Sequence, residues 1–346
     1  MAKYAVVLFN LGGPDSEEAV KPFLCNLFSD KAILSVPMPF RWLLAKIISS
    51  RRAPVAKQIY NQIGGKSPIL EGTELQRNSL EKELNNRNKK EDYKVFIAMR
   101  YWKPFSQETV KKVKKYNPDE VILLPLYPQF STTTTDSSID NWKKKAQEYS
   151  LSCPTRIICC YPRQEEFIAS HVSLLKDALE KLEQIQHKRV LFTAHGLPKK
   201  VIEKGDPYQW QVEQTAEEII KRLDEEKIDW KVCYQSKVGP LEWIGPSTEE
   251  EIIRAAKEKT SLVVVPVAFV SEHSETLVEL DIEYKNLAKK QGVPDYIRVP
   301  TLSAEKQFIA SLATLCKKNT KGQEVISGES KRICPRNFHR CINRST

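Results

Sequence analysis

The sequence predicts an α/β protein built as two similar open halves, each a four-stranded parallel sheet flanked by helices. Three observations lead there. Apolar, β-branched runs alternate with helical stretches along the chain, the pattern of a parallel sheet covered on both faces. Four of these runs precede Tyr161 and four follow it. The first two lie about 85 residues apart, more than successive units of an eight-unit barrel need, so a closed barrel is set aside.

In chain order, strands are expected at Tyr4–Phe9, Lys94–Met99, Glu120–Leu124, Arg156–Cys160, Arg189–Thr193, Lys231–Tyr234, Leu262–Val267 and Tyr296–Val299. Leu262–Val267 is unbroken by polar residues, as a strand buried on both faces requires. Helices are expected between them at Glu71–Asn85, Ser106–Lys115, Glu165–Leu182, Gln211–Leu223 and Thr248–Lys259. The halves, 1–162 and 163–303, join near Pro162–Glu165.

Ile33–Ser50 fits neither half's repeat. Phe40, Leu43, Leu44, Ile47 and Ile48 recur at i, i+3, i+4, i+7 and i+8, with Arg41, Lys46, Arg51 and Arg52 to their sides. Two readings stand: a core helix that buries this stripe, or an apolar lip offered to a large flat ligand or a membrane interface.

Composition narrows the class. With 346 residues, 41% hydrophobic and 28% charged, the chain can build real cores and reads as soluble and globular. No signal segment opens it, and no apolar run approaches the ~20 residues of a membrane span. Eight cysteines without a framework spacing point to reduced thiols and a cytosolic setting. The net charge of +10 is concentrated at the end, where Lys317–Thr346 holds eight Lys/Arg against two Glu. With no basic-aromatic stripe elsewhere, a nucleic-acid partner is not expected.

Ligands in open parallel sheets gather beyond the carboxyl ends of the strands. There the chain places Asn10-Leu11-Gly12-Gly13-Pro14, Arg100-Tyr101-Trp102, Leu126–Thr135, Ala194-His195-Gly196, Gln235–Pro240 with Trp243, and Ser271–Glu275. Glu275, Glu279 and Glu283 follow at i, i+4 and i+8, a like-charged helical stripe with no Lys or Arg from 271 to 284 to offset it. Such a stripe wants a cation. The chain carries no G-x-G-x-x-G, Walker loop, HExxH or G-x-S-x-G. Aromatic, basic and acid/imidazole groups together suit a planar ligand bearing its own carboxylates, with proton transfer and a divalent metal at its centre.

Eight stretches in order carry a family resemblance: LFNLGGPDS (Leu8–Ser16), YNQIGGKSPI (Tyr60–Ile69), MRYWKP (Met99–Pro104), PLYPQFSTTTTDSS (Pro125–Ser138), TAHGLP (Thr193–Pro198), GDPY (Gly205–Tyr208), YQSKVGPLEWIGP (Tyr234–Pro246) and FVSEHSETLVELDIEY (Phe269–Tyr284). Over roughly residues 4–315 the sequence resembles ferrochelatase, the enzyme inserting Fe²⁺ into protoporphyrin IX at the end of haem synthesis. The resemblance implies two Rossmann-like halves with the active cleft between them. It also implies a terminal helix, 304–318, packed on the first half, and makes 33–50 the lip of the site. Porphyrin and ferrous iron are the implied partners, in the cytoplasm, with peripheral contact at the inner membrane left open.

The resemblance also assigns roles. His195 becomes proton acceptor or metal ligand, and Glu275 the carboxylate facing it; both are catalytic and metal candidates. Glu279 and Glu283 become a proton or metal conduit, with His273 orienting Glu275. Arg100 and Tyr101 become the ligand-carboxylate pair. Tyr60, Ser67 and Tyr127 become pocket residues, and Leu11 and Trp243 the groups pressing on the macrocycle. Other readings share the pattern: a coproporphyrin enzyme, a cobalt chelatase, or a non-catalytic porphyrin or haem binder.

Residues 319–346 depart from the simplest family members. Some relatives bind a [2Fe–2S] cluster through tail cysteines. Here Cys334 and Cys341 stand at C-x₆-C, and Asn343 replaces the next cysteine. Cys316 or Cys159-Cys160 would have to make up the usual four thiolates. The plainer expectation is a basic, flexible tail with free thiols.

Overall fold

A computed structural model of the chain describes residues 1–86, 91–223, 228–318 and 323–344. The elements run β1 (Ala2–Asn10), α1 (Val20–Phe28), α2 (Phe40–Asn61), α3 (Ile69–Asn85), β2 (Glu91–Met99), α4 (Ser106–Tyr116), β3 (Glu120–Pro125), α5 (Ser137–Glu148) and β4 (Thr155–Cys160). Then come α6 (Glu165–Glu180), β5 (Lys188–His195), α7 (Lys199–Glu203), α8 (Tyr208–Leu223), β6 (Asp229–Gln235), α9 (Thr248–Lys257), β7 (Ser261–Pro266), α10 (Lys285–Gln291), β8 (Tyr296–Arg298), α11 (Lys306–Lys317) and β9 (Val325–Ser327). Two π-helical segments, Thr132–Asp136 and Glu275–Tyr284, complete the order.

All eight expected strands form, in two sheets ordered β2-β1-β3-β4-β9 and β6-β5-β7-β8. The first four strands of each sheet take the same order, and their pairings across β2-β1-β3-β4 and β6-β5-β7-β8 are parallel. The apolar runs are buried as the pattern requires: Ala5–Leu8 and Leu262–Val265 have no exposed surface. Helix starts follow local chemistry. Ser247 and Glu250 close a reciprocal capping box at the head of α9, satisfying donors that the first turn leaves open.

Two compact units result. One is Met1–Tyr127 with Ser131–Cys159 and Leu312–Ile326; the other is Pro128–Phe130 with Cys160–Ser311 and Ser327–Thr346. In the first, buried Arg156 on β4 donates to the carbonyls of Cys316 (3.0 Å) and Lys318, closing the end of α11.

One feature departs from the sequence expectation, and a second decides between two readings the sequence left open. Short β9 joins the first sheet beside β4, with the Ile157 amide donating to the Glu324 carbonyl (2.7 Å). The described tail is therefore packed, and Cys334, Cys341 and Asn343 are buried. The second is helix α2, which turns its apolar stripe outward. Its buried positions are Ala45, Ser49, Ala53 and Tyr60, whereas Phe40, Leu43 and Ile47 are 64%, 52% and 40% exposed. Small residues let α2 lie close to its neighbours, which leaves the large ones outside. The core-helix reading fails, and an exposed apolar patch remains.

Candidate active site

In the second unit the strand order reverses between β5 and β7, the switch point where open sheets place their ligands. β5 ends at His195. Its Nδ1 lies 2.6 Å from the Gly196 carbonyl oxygen, and since that oxygen can only accept, Nδ1 carries the proton. Nε2 is thereby left facing Glu275 Oε1 at 3.6 Å. The side chains of His195 and Glu275 keep 37% and 25% of their surface exposed. Trp243 lies beside the imidazole, ring centroids 6.3 Å apart.

Glu275 heads the π-helical segment after β7. Its second oxygen meets Nε2 of buried His273 at 3.5 Å. Burial works against ionisation, but the charge of His195 and the hydrogen bond and charge of His273 outweigh it and hold the Glu275 carboxyl down to about 2. The i→i+5 closure of a π-helix widens the turn, so residues four apart fall short of a full turn instead of overshooting it. The Glu275, Glu279, Glu283 stripe consequently drifts opposite to its expected sense.

The three carboxylates sit in different surroundings. Glu279 Oε1 accepts from the Ser236 amide (2.8 Å) and Tyr284 hydroxyl (2.9 Å), and Oε2 from Gln235 Nε2 (2.9 Å) and the Ser236 hydroxyl. Ser236 holds φ +63° to aim its amide there, a strained backbone bound to an acidic group. Gln235 also donates to the Glu275 carbonyl (3.0 Å), linking the two. Glu283 is exposed, and its carboxyl is raised by partial burial and by the charges of Glu279 and Glu249.

The first unit gathers the other candidates. Arg100, just past β2, donates from Nη2 to Asp30 Oδ2 (2.8 Å) and from Nε to Ser137 Oγ (2.7 Å). The same Asp30 oxygen accepts from the Tyr101 hydroxyl (2.7 Å) and from Ser137. Burial resists the Asp30 charge, but Arg100 and these hydrogen bonds keep its carboxyl below the usual range. Tyr101 is 1% exposed, its hydroxyl committed to Asp30, so it stands behind Arg100 and is not open to a ligand. Tyr60 is buried with Tyr101 in one apolar cluster, and Leu11 packs half-buried against it. Ser67 is buried, its amide donating to the Pro14 carbonyl (2.8 Å). A side chain on Gly13 would strike Ser67, at 2.5 Å from its Cβ, so two of the sequence motifs interlock here. Burial pushes the Tyr127 phenol well above its ordinary value.

Sequence reasoning missed the supports: Asp30, Ser137, Tyr208, whose hydroxyl donates to the His195 carbonyl (3.1 Å), and Tyr284. Ser137, Tyr208 and Tyr284 carried a signal, lying within PLYPQFSTTTTDSS, GDPY and the acidic motif, whereas Asp30 carried none.

In the tail, the Gln211 amide donates to Cys334 Sγ (3.0 Å) and Cys160 Sγ (3.5 Å), and Cys341 is hydrogen-bonded to Cys334. Cys316 lies in the other unit. Three thiols gather where a [2Fe–2S] cluster takes four thiolates, and Asn343 stands at the fourth position, so the donors do not fit a cluster. Among the described residues no group of three or more His, Cys, Asp or Glu is placed to hold a metal ion.

An imidazole with one free nitrogen set against an ionised carboxylate, at the switch point of a doubly wound sheet, defines an α/β enzyme that moves protons or cations. Comparison with known proteins narrows this. The chain belongs to the ferrochelatase family, enzymes that insert metal into porphyrin: the family model Ferrochelatase matches residues 3–320. It is 55% identical over 314 residues to a ferrochelatase of Wolbachia sp. subsp. Drosophila simulans, covering 91% of this chain and 98% of that one. It is 50% identical over 344 residues to the Rickettsia bellii ferrochelatase, covering 98% and 95%. Among solved structures, SirB from Bacillus subtilis with Fe³⁺ shares the fold at TM-score 0.51 and 12% identity, over 94% of this chain and 99% of that one.

Proposed function

We propose that the chain inserts ferrous iron into protoporphyrin IX to give protohaem, with His195 and Glu275 as its acting pair. Free-base porphyrin must lose two pyrrole protons as the metal enters. The observation that carries the reading is the orientation of His195: Nδ1 is spent on the Gly196 carbonyl, and Nε2 faces an anionic oxygen at 3.6 Å. Two acceptors facing each other call for a proton or a cation between them. Nε2 takes a pyrrole proton as general base, and Glu275 stabilises the imidazolium that forms. The same two atoms are an imidazole nitrogen and a carboxylate oxygen suited to Fe²⁺. Two donors without a third suit a metal that is cargo and must leave.

His273 orients the second oxygen of Glu275. Glu279, both oxygens engaged by Gln235, Ser236 and Tyr284, and exposed Glu283 form the path by which protons or metal reach Glu275. Arg100, oriented by Asp30 and Ser137, takes a porphyrin carboxylate, with Tyr101 as its support. Trp243, beside His195, presses on the macrocycle; in the first unit Leu11, packed with Tyr60, and Tyr127 are the pocket residues proposed for a ligand, with Ser67 behind them. The exposed apolar residues of α2 serve as a lip for the flat ligand or as a peripheral membrane contact. No described helix is long and apolar enough to cross a membrane, and a cytoplasmic enzyme is the reading we adopt.

An anaerobic insertion assay with Fe²⁺ and either protoporphyrin IX or coproporphyrin III tests this. Loss of protoporphyrin fluorescence with the higher kcat/KM supports the reading. Preference for coproporphyrin moves the substrate assignment, and binding without metallation leaves a porphyrin carrier.

A further inference from the structure

The tail loop is organised around Arg332. Arg332 donates to four of its carbonyls, those of Cys334 (3.0 Å), Pro335 (3.1 Å), Phe338 (2.9 Å) and Asn343 (3.3 Å). A guanidinium therefore does the folding that a cluster would do elsewhere. Inside the loop Cys334 and Cys341 are 5% and 3% exposed and hydrogen-bonded to each other.

This loop grips the start of α8. The Arg340 amide donates to the Gly205 carbonyl (3.2 Å), and the His339 ring fills the place a side chain on Gly205 would need, 2.5 Å from its Cβ. Phe338 packs on Trp210, centroids 5.9 Å apart, and Gln211 donates to Cys334 Sγ. The same first turn carries Tyr208, whose hydroxyl holds the His195 carbonyl. The dithiol, through Gln211, and the imidazole, through Tyr208, are thus both fastened to the first turn of α8.

We propose that Cys334 and Cys341 form a redox-modification site, a dithiol that a disulfide oxidant closes to an intrachain disulfide and whose closure is felt at His195 through α8. The coupling to turnover rests on the role given to His195 above. The exchange balances: the Cys341 thiolate attacks one sulfur of the oxidant and expels a thiolate. Cys334 then attacks Cys341 Sγ, expelling the second thiolate, so two protein thiols and one disulfide give one protein disulfide and two small thiols. The hydrogen bond with Cys334 lowers the Cys341 thiol despite burial, helped by a backbone hydrogen bond at Asn343 and by Arg332, so Cys341 is the first of the two to give a thiolate. Drawing the sulfurs into a covalent bond pulls Cys334 off the Gln211 amide and shifts the turn that positions His195. Because both thiols are buried, reaction goes through local opening of the loop and speeds up in mild urea.

The test uses the full chain in a Cys25→Ser/Cys153→Ser background, which removes the two partly exposed thiols. Protein is treated with oxidised glutathione, then dithiothreitol. Peptide mapping reads the bond, NMR of the His195 imidazole reads the coupling, and iron insertion reads turnover. A linked Cys334–Cys341 peptide, a displaced His195 resonance and a kcat about tenfold lower, all reversed by dithiothreitol and absent in Cys341→Ser and Cys334→Ser, is expected. Absence of the linked peptide, or its formation with His195 unmoved, overturns the proposal. If reduced protein inserts no metal, the functional reading fails separately, and the peptide and NMR arms still decide this one.

Discussion

His195 presents Nε2 to Glu275 Oε1 at 3.6 Å while Nδ1 is held by its neighbour's carbonyl at 2.6 Å. The spacing exceeds a tight hydrogen bond, and a proton or a metal ion entering there meets two lone pairs already aimed.

Glu275 makes this pair readable by pH. Its folded-state carboxyl is lowered to about 2 from an ordinary 4.5. A depressed pKa contributes stability fully above the unfolded value, lost as pH falls from about 4.5 through about 2. The melting temperature of wild type should exceed that of Glu275→Gln at pH 5, and the gap should close toward pH 2. A constant gap across this range argues against the His195–Glu275–His273 contact.

Asp30 and Arg100 form a partly sealed pair, with side chains 8% and 19% exposed. Asp30→Ala strands the Arg100 charge and should cost about 2–4 kcal/mol in urea unfolding. Arg100→Ala should weaken porphyrin binding by about tenfold or more in a fluorescence titration, with the metal-insertion step less affected. Unaltered affinity would remove Arg100 from the carboxylate contact.

The lip makes a prediction of the opposite kind. Phe40→Ser, Leu43→Ser and Ile47→Ser together should leave the urea midpoint nearly unchanged, because each side chain is exposed. Buried apolar residues would cost about 2–5 kcal/mol each. A large loss of stability would restore the core-helix reading. Weaker porphyrin or vesicle binding with stability intact supports the lip.

Much of this was legible in the sequence, for physical reasons. Strands buried on both faces leave unbroken apolar runs such as Val263–Val265, and the less buried β6 and β8 were legible from their alternation with helices. β9 was not, because three residues in a polar tail carry no period. For α2 the sequence left two readings open, because hydrophobicity marks Phe40 and Ile47 without saying which side is buried, whereas packing selected Ala45, Ser49 and Ala53 for their size. The π-helical closure was invisible because acidic residues four apart suit either helix type. His195 and Glu275 are 80 residues apart, and only the motifs around them hinted at pairing. Asp30 and Tyr208 support the site through contacts that no local spacing encodes.

The most direct test is single-turnover metallation by His195→Ala, with protoporphyrin bound and Zn²⁺ or Fe²⁺ added anaerobically. The account predicts that porphyrin still binds but its free-base spectrum persists, with insertion slowed by about 10²-fold or more. Metallation at the wild-type rate would contradict it.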